Sequence, residues 1–150
     1  MTSQVEGSLK PMKCLSLKQP FAQLIVDGRK TIELRKWKTK FRGTFLVHAS
    51  KVGMYEYFNE FGYSDIPQGA IIGKVDLLNV KHYESAKEWN HDSVMHLADD
   101  EFRDSLYGFI LANPVKFEKP IPFAGSLNFF NVLFDEENLI AKQFIQEKLS

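Results

Sequence analysis

The sequence predicts an α+β fold: a small, mostly antiparallel β-barrel with peripheral helices packed around it. Three observations carry this reading. Five or six segments read as strands, Met12 to Leu17 and Thr31 to Trp37 by their alternation of apolar and polar residues. One early helical segment separates the first two, so the pattern is no βαβαβ series, and many connections are too short for parallel crossovers. At 150 residues, with no repeat or Pro/Gly linker after Pro11, the chain reads as one domain able to bury a core without a disulfide or metal staple.

The polar start, MTSQVEGSLKP, lacks the apolar stretch of a signal peptide and predicts a flexible leader over residues 1–11, with one domain over 12–150. Met12 to Leu17 alternates as a short strand. Pro20 suits the first turn of a helix carrying Phe21, Leu24 and Ile25, and Gly28 suits its end. Thr31 to Trp37 alternates again, placing Ile32 and Leu34 on one face and Thr31, Glu33, Arg35 and Trp37 on the other. Gly43 to Ser50 and Gly69 to Val80 follow as strands, and Gly73 marks a bulge or bend in the second. Short helices are expected over Met54 to Phe61 and within Glu84 to Ser105, and further strands over Tyr107 to Ala112 and Leu127 to Leu133. An amphipathic helix over Asp135 to Leu149 is expected to close the chain, its acidic start favoured by the helix dipole.

Composition excludes several classes. No apolar run is long enough for a membrane span. Cys14 alone cannot form an internal bridge, which suits a reducing, cytoplasmic setting, and its place in a strand reads as a buried structural thiol. Phosphate-loop, GxGxxG and CxxC motifs are absent, and His91 and His96 lack the companions of a metal site, so neither metal nor cofactor is expected. Net charge is zero, with 19 basic and 19 acidic residues, but Arg29, Lys30, Arg35, Lys36, Lys38, Lys40 and Arg42 stand close together with Glu33 the one acid among them. The remainder holds 12 basic against 18 acidic residues, so a local positive patch sits on an acidic body, a footprint for a polyanion or else a solvated lysine-rich turn.

Glu33 and Arg35, two apart on a strand, emerge on one face close enough to pair. With Lys30 they offer donors for a phosphate or base carbonyl and an acceptor for an exocyclic amine; equally, they could be a structural ion pair. Lys18, Gln19 and the amides opening the first helix add donors nearby. Lys38 and Lys40 would meet phosphates, while Trp37 or Phe41 stacks on an unpaired base or belongs to the core. His48 reads as a half-buried imidazole beside Ser50 and Lys51 and completes the candidate ligand set with Ser50.

The stretch LSLKQPFAQLIVDGRKTIELRKW, with Lys18-Gln19-Pro20-Phe21-Ala22 at the helix start and Gly28-x-Lys30-Thr31-x-Glu33-x-Arg35 after it, resembles the opening of the ASCH (activating signal cointegrator homology) family, closest to its cointegrator-type branch. Gly43 to Ser50, the Gly69-x-x-x-Gly73-x-Val75-Asp76 strand, Pro114, Gly125 and Phe129-Phe130 also look similar, so the likeness covers about residues 12–133. The resemblance implies a PUA-like barrel with a cleft between the first helix and the strand of Glu33 and Arg35, acting on RNA or another nucleic acid. In a shorter bacterial branch it implies an amidohydrolase acting on an N-acetylated cytidine or similar modified nucleoside. Lys30 corresponds to that branch's catalytic lysine, and Glu33 stands where that branch has a threonine; Glu84 and Glu88 are the nearest further carboxylates. A glutamate beside Lys30 stabilises its ammonium and so favours binding over catalysis.

Overall fold

The first strand, β1 (Lys10–Leu17), sorts its side chains by alternation: Cys14 enters one apolar cluster, Leu15 and Leu17 the other. The computed structural model describes residues 8–99, 102 and 105–144. Lys10 and Pro11, expected in the leader, already pair with Phe134 and Leu133. Pairing with β3 begins only at Lys13, so Pro11 lies where one side of β1 is open and its missing N–H costs no ladder bond.

After β1 the chain forms α1 (Phe21–Val26), which buries every residue from Ala22 to Val26. Gly28 ends it at φ 78°, the left-handed conformation that glycine adopts without strain. There follow β2 (Ile32–Arg35), β3 (Gly43–Ala49), a 3₁₀ turn (Tyr55–Tyr57) running into α2 (Phe58–Phe61), and the long β4 (Ala70–Tyr83). Two short helices, α3 (Ala86–His91) and α4 (Ser93–His96), precede β5 (Leu106–Pro122), β6 (Phe129–Asp135) and β7 (Ile140–Gln143). Ser85 caps α3 by accepting from the Glu88 N–H.

The strands form one sheet in the order β2-β5-β4-β3-β1-β6-β7. The β1–β3 pairing is parallel and the others are antiparallel. The ladder does not close, so the expected barrel is instead an open sheet. It nevertheless curls: β2 stands four places from β1 in the order, yet Arg35 of β2 reaches the Ser16 carbonyl of β1 at 3.2 Å. Beyond Leu15, paired with Phe129, β6 no longer covers β1, and the guanidinium meets the exposed carbonyl where a strand would otherwise lie.

Against β5 the register of β4 shifts between Ile71 and Gly73, between Lys74 and Asp76, and between Leu77 and Asn79. The pairing with β3 also shifts opposite Gly73, as expected of a bulge there. A Cβ there would lie 2.2 Å from the Val115 carbonyl oxygen and 2.6 Å from Val26 Cγ1, so glycine permits both β5 and α1 to approach. β5 runs well past the expected Tyr107–Ala112. Its prolines are tolerated because β2 covers only Tyr107 to Ile110, leaving the far half an edge, and Asn113 absorbs a bulge at φ 55°.

The expected closing helix is not formed. Asp135 accepts from the Asn138 N–H at 3.2 Å and from its side-chain amide at 2.7 Å, making a turn that sends β7 back along β6. Residues 145–149 of that expected helix lie outside the described residues. Two cores result. Leu15, Leu17, Phe45, Val47, Val75, Leu77 and Phe109 pack beneath α1, while Leu46, Ile71, Phe117, Val132 and Phe134 join Cys14 on the other face. Each such side chain contributes about 1.5–3 kcal/mol on burial. Burial also pushes the Cys14 thiol well above its usual range, in keeping with a structural role.

Candidate nucleic-acid interface

Three groups of polar side chains surround the open end of β1. The first follows α1. Two successive amides, of Arg29 and Lys30, donate to the Leu24 carbonyl, and this tight exit turns Lys30 inward. Lys30 is 4% exposed; its ammonium donates to the His96 carbonyl at the end of α4 and stands 3.6 Å from Glu33 Oε1. Arg35 Nε donates to Glu33 Oε2 at 3.0 Å, completing a Lys–Glu–Arg chain that ends on the Ser16 carbonyl. Burial lowers the Lys30 pKa from its ordinary value, and the Arg35 charge adds to this, while Glu33 opposes it. Glu84 and Glu88 are exposed; Glu84 faces His82 at 3.7 Å, and neither is a described partner of Lys30.

Below it, α3 and α4 are tied to β4 through Asp92, which is 3% exposed and pairs with Lys81 at 2.8 Å. Burial alone would raise the Asp92 pKa; hydrogen bonds from Lys81, Tyr83 and His91 outweigh it and hold the carboxyl well below the usual range. His96 donates from Nε2 to the Trp89 carbonyl and accepts the Ala98 N–H on Nδ1, so it is neutral and fully bonded. Among the described residues no group of three potential metal ligands occurs.

The second group is a cavity of about 870 Å³ lined by Ser16, Lys18, His48, Ser50, Lys51, Gln68 and the 123–127 loop. Alternation in β1 and parallel pairing with β3 set Ser16 opposite His48, and their side chains meet at 2.8 Å. Ser50 Oγ lies 2.9 Å from Ser16 Oγ, and His48 Nε2 lies 2.7 Å from the Phe123 carbonyl. A serine–histidine contact suggests a nucleophile, but the third partner here is a carbonyl, which cannot stabilise an imidazolium as a carboxylate does. Burial lowers the His48 pKa, so the ring is a neutral member of a hydrogen-bond relay.

The third group is the loop between β2 and β3. Lys36, Lys38 and Lys40 are exposed, and none has an ion-pair partner among the described residues. Between them, Trp37 packs edge-on against Phe109 and Phe129 at 5.3 and 5.8 Å, and Phe41 meets Phe129 at 5.3 Å. Arg42 donates to the carbonyls of Thr39 and Phe41, stiffening the turn. The aromatic residues thus anchor the loop while its lysines face solvent.

The sequence groups its candidates as a Lys/Glu/Arg cleft with an adjoining basic run, and the structure distributes them over three places. Lys18, His48 and Ser50 line the cavity. Lys38 and Lys40 stand on the loop, and Trp37 leans into the core. Lys30, Glu33 and Arg35 form the internal chain that touches Ser16 from the side. Gln19 is fully buried: its oxygen accepts the Gln23 N–H at 2.8 Å and its amide donates to the Pro67 carbonyl at 2.8 Å, so it fixes α1. Sequence reading missed Ser16, Lys51, Gln68 and the close approach of Gly125. Only Ser16 carried a signal, as the one hydroxyl among the apolar residues of its strand.

The fold is a mixed α+β domain built on one open seven-stranded sheet, and the sequence profile of the ASCH domain matches residues 15–121; the chain belongs to that family. It is 30% identical to human activating signal cointegrator 1 over 128 residues, covering 75% of this chain and 21% of that protein. The mouse protein of the same name is 29% identical over the same coverage. The chain therefore spans about a fifth of the length of these curated relatives. Its fold is similar to the crystal structure of ASCH from Zymomonas mobilis, with a TM-score of 0.56 at 19% identity over 73% of this chain and 71% of that one. No helix among the described residues is long and apolar enough to cross a membrane.

Proposed function

We propose that this domain binds nucleic acid, RNA in preference, with the lysine loop holding the backbone and the adjoining cavity receiving a base. ASCH domains are generally linked to RNA binding. The observation that carries the reading is the Lys36–Arg42 loop: its lysines have no ion-pair partner among the described residues, while Trp37 and Phe41 hold it in place. Free ammonium groups on a fixed loop release counterions when they meet phosphates, which supplies affinity without sequence preference. Arg35, at the start of the loop, touches Ser16, and Ser16 lines the cavity, so backbone and base contacts would be contiguous.

Anisotropy titrations of labelled single-stranded and structured RNA at two salt concentrations test this. Binding should weaken steeply with salt, the logarithmic slope being about 0.7 per phosphate contact on a single strand. No binding at low salt, or binding indifferent to salt, overturns the proposal.

A further inference from the structure

The cavity beside Ser16 has a fixed hydrogen-bond polarity. A carbonyl only accepts, so the contact with Phe123 places the ring proton of His48 on Nε2. Nδ1 is then a bare acceptor, and Ser16 commits its single O–H to it. In the Ser16–Ser50 contact Ser16 can therefore only accept, and Ser50 directs its own proton inward. Ser50 shows the cavity its lone pairs. Gln68 reaches the same state independently: its amide nitrogen donates to the Lys51 carbonyl at 3.1 Å and to the Tyr55 hydroxyl at 3.0 Å. That leaves the Gln68 side-chain oxygen as an acceptor with no hydrogen-bond donor among the described residues.

The remaining lining narrows the ligand. Lys18 and Lys51 are cationic and exposed, so an ammonium is repelled while a phosphate is attracted. Val52 and Leu127, 63% and 86% exposed, give the cavity an apolar rim suited to the face of a planar ring. Gly125 closes over the relay; a Cβ there would stand 2.9 Å from both His48 Cε1 and Ser16 Oγ, so the 123–127 loop seats directly on it.

We propose that this cavity binds a nucleotide whose base carries an exocyclic amine, cytosine or adenine rather than uracil. The neutral amine meets the acceptor side formed by Ser50 and Gln68, and the phosphate lies toward Lys18 and Lys51. This deepens the nucleic-acid reading above and rests on it. Uracil turns a carbonyl toward the same place, where lone pair would oppose lone pair.

The test is a titration of the isotopically labelled full chain with cytidine and uridine 5′-monophosphates, followed by NMR. Cytidine monophosphate should bind about tenfold more tightly, the worth of one well-made hydrogen bond against an opposed pair. Ser50→Ala should bring the two ligands level by weakening the cytidine nucleotide. Ser16→Ala frees the Ser50 proton to turn outward and should narrow the gap by strengthening the uridine nucleotide, a change no loss of fold would produce. Equal or tighter binding of the uridine nucleotide by the unaltered chain overturns the inference. Salt-dependent RNA binding without the cytidine preference overturns it too and leaves the nucleic-acid reading standing. The cytidine preference without any RNA binding does the reverse.

Discussion

Lys30, Glu33 and Arg35 on one side, and Lys36, Lys38 and Lys40 on the other, are neighbours in sequence and opposites in the fold. The first set lies inside, and each member has a protein partner: the His96 carbonyl, the Glu33 carboxylate, the Ser16 carbonyl. The second lies outside, on a loop whose aromatic residues do the anchoring. A run of positive charge therefore contains cations of two kinds. Those whose charge is already neutralised hold the curled sheet together, and those whose charge is not are free to meet a polyanion.

The sharpest way to break this contrast is Glu33→Ala. It leaves the Lys30 ammonium buried beside a carbonyl with no counter-charge, and breaking a buried pair in this way costs roughly 3–5 kcal/mol. Chemical denaturation should show that loss, with ligand preference unchanged among molecules that remain folded. Altered preference with unchanged stability would instead place Glu33 in the binding surface.

Trp37→Ala tests the anchor. A partly buried aromatic ring should cost about 2–3 kcal/mol, less than the ~3–5 of a fully buried one. RNA affinity should fall with it as the loop loosens, even at low salt. A stable variant with weakened binding would show that Trp37 stacks on a base and does not serve the core.

Replacing Lys36, Lys38 and Lys40 together by Ala should leave stability within about 0.5 kcal/mol, as surface changes generally do. The salt slope of RNA binding should fall by about 2, three contacts at ~0.7 each. An unchanged slope would remove the loop from the interface.

The smallest expected effect is on pH. His48 and His96 both lie below their ordinary pKa, chiefly through burial, with a carbonyl hydrogen bond opposing it in each. The unfolded chain takes up protons near pH ~6.5 that the folded chain refuses, so stability is complete above that value and declines as pH falls through the folded values. Melting temperatures measured from pH 8 to 5 should show a modest decline below ~6.5. His48→Gln should flatten the curve in part; a flat profile for the unaltered chain would mean that neither ring is held neutral.

β1 and β2 were legible from the alternation of apolar and polar residues, and β3 and β4 from apolar runs that follow Gly43 and Gly69 and are buried on both faces. Gly73 was legible as a bulge, and Pro20 with Gly28 as the limits of α1, since proline has a fixed φ and glycine alone adopts left-handed or closely packed backbone without strain. The closing segment was not. Its acids and apolar residues fit a helix as well as a hairpin, and the choice fell to the Asp135–Asn138 turn and to the edge of β6 on which β7 pairs.

By itself the sequence determined the strand-rich fold, the family, and which residue types could carry a site, because these follow from composition, periodicity and local motif. Only the tertiary structure decided which cations are spent. Lys30 and Lys38 are eight positions apart on one basic run, and nothing local distinguishes them. The difference comes from α4 presenting the His96 carbonyl to one and solvent surrounding the other, from a contact that joins residues 66 positions apart. In the same way, Ser16, His48, Ser50 and Phe123 become a relay with one polarity only when β1, β3 and the 123–127 loop meet. A hydrogen bond's direction depends on every partner in its chain, and those partners are brought together by the fold.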